Sequence, residues 1–431
     1  MSAPAFAQDT KPDATLTIAP MDLELAPGKT VKTLAYNGSV PGPLLRFPEG
    51  KPVTIEVQNG TKEPEIAHWH GLWIPSNVDG SAEEGTPMIP AGASARYTFT
   101  AQPAGFRWYH THTMAMRNLN RATYTGQFGF FYIDPKNDPG DYDAEVFLAL
   151  RGWDPYMSSG GDEEGGLEVA YKYFSINNRA LGHGEPVRVK QGQRVMFRIL
   201  NASATMYHRI ALTGHSFLVT ALDGYRVPSP QKVEAIEMGP AERVDAVVTM
   251  DNPGIWVLGE VDNRTRVEGL GIVIEYAESA GGPRWSLPGP WRWDYTRFGS
   301  AQAAAAPLDG KIPLVFKQKF AGSRWVDHWT VNGKEYPKGK PIIVEKGKRY
   351  RLIFNNQSGE AHPVHLHRHA FELKSVAGTP TNGILKDVVV VPPWKTIEAD
   401  FVANNPGRTL FHCHQQMHMD YGFMVLIDYA S

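Results

Sequence analysis

At 431 residues the chain is long enough for two or three domains with substantial cores, and a formal net charge of −2 leaves no basic excess for a nucleic-acid partner. No apolar run approaches the ~18 residues that suggest a membrane-spanning helix, so no membrane span is expected. The 42 glycines and 33 prolines mark many turns, the single cysteine excludes an intramolecular disulfide, and short apolar runs rich in Val, Ile, Phe, Tyr and Thr predict an all-β protein.

Residues 1–11 read as the flexible remnant of an export signal. Ala5-Phe6-Ala7 before Gln8 is an A-x-A cleavage signature, although the basic and apolar stretches that should precede it are missing and Met1 reads as an engineered start. A periplasmic or secreted protein is therefore expected, with a flexible natural tail as the alternative. An internal repeat organises the rest of the chain. Asn37, Gly50 and Asn59 stand thirteen and nine residues apart, while Asn177, Gly192 and Asn201, and again Asn332, Gly347 and Asn356, stand fifteen and nine apart. Between each Gly and the next Asn lies a strand-like run, at 52–57, 195–200 and 350–354, so three related β units are predicted. Their expected limits are 12–137, 140–278 and 309–431, with residues 134–140 as the first linker and 279–308 as the second.

The first unit carries His68-Trp69-His70 and His110-Thr111-His112. Alternate residues on a strand point to one face, so each pair can aim two imidazoles at one place. Asp79, eleven residues after His68, opens an Asp-Gly pair of the kind that commonly makes a turn. In the equivalent region the middle unit offers only His208, followed by His215, both read as structural or surface residues. In the second linker Trp285, Trp291 and Trp293 suit either an aromatic-binding surface or anchors for the linker. The third unit opens its chemistry with Glu360, either an acceptor for a substrate proton or an exposed loop carboxylate, followed by His362-Pro363-Val364-His365-Leu366-His367. His369 continues that alternation and is read as structural. Nine residues separate Asn59 from His68 and Asn356 from His365, so the outer units present their clusters from equivalent places and a shared centre is expected between them.

Near the end, His412-Cys413-His414 sets two imidazoles on one side of a strand and the only thiol on the other, so one short segment can touch two metal centres. One thiolate with two imidazoles, here Cys413, His362 and His418, suits a type 1 blue-copper site. Zinc would close its site with four ligands and non-haem iron would ask for a carboxylate, so neither accounts for eight further imidazoles.

The segments HWHG, HTH, HPVHLH and HCHQQMH resemble the four copper motifs of the multicopper oxidases, a family of laccases, bilirubin oxidases and cuprous or ferrous oxidases; the likeness covers nearly the whole chain. It implies three cupredoxin-like Greek-key β-sandwich or barrel domains and four coppers per chain. It also implies one-electron oxidation of a small reductant coupled to four-electron reduction of O2 to water. By this resemblance His362, Cys413 and His418 hold the type 1 copper, and His68 and His365 the type 2 copper. His70, His110, His112, His367, His412 and His414 hold the type 3 pair. Cys413, His412 and His414 then carry electrons inward, and Asp79 matches the acid that the family places beside the type 2 copper, which implies proton delivery there, with the turn as the alternative.

The chain departs from the family at two places. Met419, followed by Asp420, stands where a second acid is often found. Phe423, ten residues after Cys413, stands where many bacterial relatives have an axial methionine, and Met424 should face the other way. A phenylalanine cannot coordinate, so Cu(I) is favoured, the potential rises, and phenols or aromatic amines are the expected reductants. The alternative is a cuprous or ferrous metallo-oxidase in metal tolerance. Met114 with Met116, and Met417 with Met419, form only small clusters and are read as core or strand-facing. A monomer is expected.

Overall fold

In the strand Pro52–Asn59 every second side chain, Val53, Ile55 and Val57, is buried while its neighbours are not, the period-two signature of a half-buried strand. The third-unit strand Arg349–Asn356 repeats this with Leu352 and Phe354 inward. The middle unit differs: in Arg194–Asn201 all residues after the first are buried, because Arg198 turns outward onto Tyr132 of the first unit and Leu200 joins Phe106, Trp108 and Phe130 there. The expected alternation is therefore lost where one sandwich is walled by another.

The computed structural model describes residues 11–137, 140–159, 166–290, 292–300, 306–322 and 325–430. Trp291, the Ala5-Phe6-Ala7 segment and parts of both linkers lie outside them. Strands form three pairs of sheets: two four-stranded sheets between Ala14 and Asp134, then a six- and a five-stranded sheet in each of the next two units. The second and third units share one strand order, and in all three the first strand lies parallel to the strand after the repeated glycine (Ala14–Ala26 on Pro52–Asn59, Ala144–Ser159 on Arg194–Asn201, Gly310–Lys319 on Arg349–Asn356). Parallel neighbours within two-layer antiparallel sandwiches are the Greek-key arrangement of cupredoxin-like domains.

The repeated residues have physical tasks. Asn37, Asn177 and Asn332 adopt φ of 52°, 57° and 53°, and each side chain bonds both backbone groups of the first strand, as Asn37 does with Thr17 N and Thr15 O. Asn59, Asn201 and Asn356 are buried and donate to carbonyls across the loop mouth, fixing where the histidine-bearing strand begins.

One difference between units positions the chemistry. The second unit inserts the hairpin Phe217–Leu222 and Tyr225–Val233, and the third inserts Phe371–Val376 and Thr379–Lys386. In the first unit the corresponding residues, 71–93, form an irregular loop around the short 3-10 turn Ser76–Val78. That loop carries Asp79, Glu83 and Glu84 inward. The second linker is pinned: Trp285 stacks on Arg266 at 4.0 Å, while Trp293 lies 5.0 Å from Phe298, itself buried in the main core.

Candidate metal centre

Strand pairing brings the histidines together. Ala67–His70 lies antiparallel to Gly105–Thr111 with His68 opposite His110, and His362–Leu366 lies antiparallel to Thr409–Cys413 with His365 opposite His412. The two pairs face each other across the boundary of the first and third units. Five compact groups result: His68 with His365 and His70; His70 with His110 and His414; His112 with His367 and His412; His362 with Cys413 and His418; and His68 with Asp79 and His367. Within each, the candidate ligand atoms lie within 4.8 Å of one another. The eight imidazoles of the first three groups are all buried. Because His412 and His414 point to these groups while Cys413 points to the fourth, the HCH strand joins both sites as its alternation requires.

Most of the rings are held from behind. His68 Nδ1 faces the Asp79 carbonyl at 2.9 Å, His365 Nδ1 the Asp387 carbonyl at 2.7 Å, His110 Nδ1 the Thr111 carbonyl at 2.8 Å, and His412 Nδ1 the Cys413 carbonyl at 2.8 Å. A ring that donates from Nδ1 presents the bare lone pair of Nε2. His70 is turned the other way, with Nε2 on Asp387 Oδ1 at 3.1 Å and Nδ1 inward. Burial, reinforced by neighbouring imidazoles, drives the pKa of His70, His110, His365, His367, His412 and His414 well below 6.5, so these rings are neutral donors of lone pairs.

Asp79 is fully buried, and its Oδ2 lies 3.0 Å from His68 Nδ1 and 2.9 Å from His367 Nδ1. It also closes the 3-10 turn, so the turn and the site share the residue. Sequence reasoning missed Glu84. Its Oε2 sits 3.2 Å from His367 Nδ1, and its Oε1 accepts from Leu410 N at 2.7 Å. Burial and the Asp79 charge hold Glu84 protonated far above the carboxylate range, whereas His68 and His367 outweigh burial and keep Asp79 ionised. The one sequence signal was its place in a loop that lacks the hairpin of the other units. Asp420 does not reach the imidazoles: Oδ2 accepts from Ala115 N and Met116 N, and Oδ1 from Gln416, which clamps the helix Gln416–Asp420 to the first unit.

At the thiol site Cys413 Sγ lies 3.8 Å from His362 Nδ1 and 3.5 Å from His418 Nδ1. Ser358 Oγ backs His362 Nε2 at 2.9 Å and Glu360 Oε2 backs His418 Nε2 at 3.1 Å. Glu360 is thus half-buried and engaged, not an exposed loop carboxylate. Phe423 is fully buried, its ring 4.9 Å from that of His362, while Met424 packs away with Leu410 and Met419. A cleft of about 710 Å³ opens over His418, lined among others by Tyr207, Trp329, Trp394, Met206 and Met417. Three histidines that the site does not use are satisfied by protein: His208 by Ser203 and Glu260, His215 by Tyr276, His369 by Tyr429. Of the small methionine clusters, Met417 and Met419 are buried, but Met114 and Met116 are exposed, contrary to the core reading of that pair.

Three multicopper oxidase family models match residues 17–138, 155–268 and 311–430. Multicopper oxidase MmcO of Mycobacterium tuberculosis is 32% identical over 96% of this chain and 86% of its own length. The chain belongs to the multicopper oxidase family. Among solved structures, the laccase from Botrytis aclada superposes with a TM-score of 0.80 at 19% identity, over 96% of this chain and 87% of that one. A metallo-oxidase from Campylobacter jejuni gives 0.75 at 22%, over 100% and 95%. This multicopper oxidase is a copper-dependent oxidoreductase with O2 as electron acceptor, and four coppers fit its donor set. Among the described residues, His68 Nε2, His365 Nε2, His414 Nε2 and both ring nitrogens of His112 are buried without a hydrogen-bond partner, which is costly unless a cation takes their lone pairs. Burial also pushes the Cys413 thiol well above its usual pKa, so a metal must displace its proton for the thiolate to form.

Proposed function

We propose that this multicopper oxidase is a laccase-like enzyme that takes single electrons from phenols or aromatic amines at a type 1 copper held by His362, Cys413 and His418. In this reading His68 and His365 hold the type 2 copper, His70, His110 and His414 one type 3 copper, and His112, His367 and His412 the other. The support is the convergence of those same residues into four buried groups. Bound copper supplies one-electron acceptance at the thiolate site and four-electron reduction of O2 at the other three positions. His418 offers its edge to the cleft. The Cys413 side chain and its two peptide bonds form the covalent route to His412 and His414. Asp79 and Glu84 hold one proton between them against His367 and would serve as proton donors to the reaction at that cluster.

The observation that carries the phenol reading is Phe423, fully buried beside His362, with Met424 turned away. A site without an axial donor favours Cu(I), which suits reductants that are hard to oxidise. The second reading, a cuprous or ferrous metallo-oxidase, is favoured by Met206, Met417, Glu168, Asp327 and Glu360 on the same cleft. Oxygen uptake by the copper-loaded protein with a dimethoxyphenol, Cu(I) and Fe(II) decides: a kcat/KM for either metal ion far above that for the phenol would sink the laccase reading.

The proposed domain limits remain 12–137, 140–278 and 309–431. Every candidate metal group is completed within one chain, which supports a monomer, to be checked by light scattering. No helix among the described residues is long and apolar enough to cross a membrane. The Ala5-Phe6-Ala7 motif supports a periplasmic or secreted site of action, testable by cell fractionation.

A further inference from the structure

Among the described residues the middle unit contributes no group to the metal clusters, yet one of its side chains reaches them. Arg243 Nη1 and Nη2 donate to Asp387 Oδ1 and Oδ2, each at 2.6 Å. Asp387 Oδ1 accepts from His70 Nε2 at 3.1 Å, and the Asp387 carbonyl accepts from His365 Nδ1 at 2.7 Å. All these side chains are fully buried. The other donors of Arg243 reach the carbonyls of Ala241 and Asp223 in its own unit, at 3.2 and 3.1 Å, and that of Phe106 in the first, at 3.5 Å. The guanidinium therefore touches all three units and has one place to sit.

Two observations tie this pair to His70 in particular. His70 is backed at Nε2, unlike His68, His110, His365 and His412, so the acceptor-only carboxylate of Asp387 decides that Nδ1 faces His110 and His414. Gly71, the next residue, has φ +82°, and a Cβ there would stand 2.7 Å from Asp387 Oδ2 and 2.9 Å from Arg243 Nη2. The ion pair fills the space beside His70 that a side chain would otherwise take.

We propose that Arg243 is a positioning residue for the trinuclear centre: by gripping both oxygens of Asp387 it fixes the His70 ring with Nδ1 toward the type 3 copper, so the middle unit sets how tightly that pair is held. The inference rests on the assignment of His70 to the type 3 pair. In the copper-loaded full chain, Arg243→Lys offers a point charge that cannot span two oxygens. It should keep the blue type 1 absorption and its paramagnetic signal, weaken the near-ultraviolet band of the type 3 pair, and release type 3 copper to a chelator about 10–100-fold more readily. Asp387→Asn should show the same selective change and decides the matter should Arg243→Lys fail to accumulate. Glu242→Gln removes charge from the same buried cluster but from a group bonded to Lys386 and Tyr295 instead of Asp387. It should lower Tm and leave the type 3 band alone. A type 3 band and chelator resistance of wild-type strength in folded Asp387→Asn would overturn the proposal. So would equal loss of type 1 and type 3 copper, or a Glu242→Gln variant that reproduces the type 3 defect. The unsubstituted chain, loaded in parallel, tests the ligand assignment separately: lack of a type 3 band there sinks the assignment, whereas its presence with unaffected variants sinks only the role of Arg243.

Discussion

Cys413 is the residue whose loss should separate the two kinds of site, because it alone supplies sulfur to one of them while its neighbours serve the other. Cys413→Ser should abolish the intense blue absorption, leave the eight-imidazole cluster able to bind copper, and collapse turnover with every reductant. Blue colour or near-normal turnover in a copper-replete variant would refute the entry site. Phe423→Met should supply a thioether, stabilise Cu(II) and lower the type 1 potential without emptying the site, since His362, Cys413 and His418 remain. An unchanged potential in a redox titration, together with altered spectra in Met424→Leu, would move the axial position to Met424 and remove the main support for phenols. The clustering of these histidines was legible because His-X-His fixes two rings on one face whatever the rest of the chain does. Glu84 and Asp387 were not, since a lone carboxylate gains meaning only from what lies across a domain boundary, and His367 is 283 positions from Glu84.

The loop 71–93 is the element that turns a plain sandwich into half of a catalytic site. Gly80 makes it possible: its φ is +90°, and a Cβ would stand 1.8 Å from the Ala67 carbonyl oxygen, on the strand that bears His68. Gly80→Ala should therefore cost about 1–3 kcal/mol from backbone strain alone, more with the clash, and should displace Asp79; thermal denaturation and the rate of O2 reoxidation report the two effects. Asp79→Asn keeps the shape and removes the charge. Type 1 reduction should stay fast in that variant while reoxidation slows about 10²-fold, the scale of general acid catalysis. Normal stopped-flow reoxidation would return Asp79 to its turn. Strands 52–57 and 350–354 were readable from alternation because one face meets water or a polar layer. The strand at 195–200 was read as well, but its burial does not alternate, because packing against the first unit buries both faces.

For the whole molecule, a nest of buried neutral imidazoles makes the metal-free protein acid-sensitive. The folded pKa values of His70, His110, His362, His365, His367, His412 and His414 lie well below 6.5, chiefly through burial, so under mildly acidic conditions the unfolded chain binds more protons than the folded one. Stability is then complete above pH 6.5 and is lost as pH falls, with each such group contributing a slope of up to ~1.4 kcal/mol per pH unit. Calorimetry of the apoprotein should show Tm dropping steeply from pH 7 to 5, and copper loading should raise Tm, because copper occupies the folded lone pairs. An apoprotein Tm flat across that range would contradict the neutral cluster. The three-unit plan was legible from the Asn and Gly repeat, whose members perform the same backbone tasks in each copy. The route by which the middle unit reaches the metals was not, because it runs through side chains that no repeat contains. The division of the cluster between the outer units also imposes an order on biosynthesis. His70 and Asp387 are 317 positions apart, and although the first unit alone gathers His68, His70, His110 and His112, every metal group needs a residue of the third unit, so a ribosome-bound chain completes none until its far end has emerged and docked. A half-made molecule thus holds no complete metal group, and maturation with metal becomes a checkpoint that only completed chains pass.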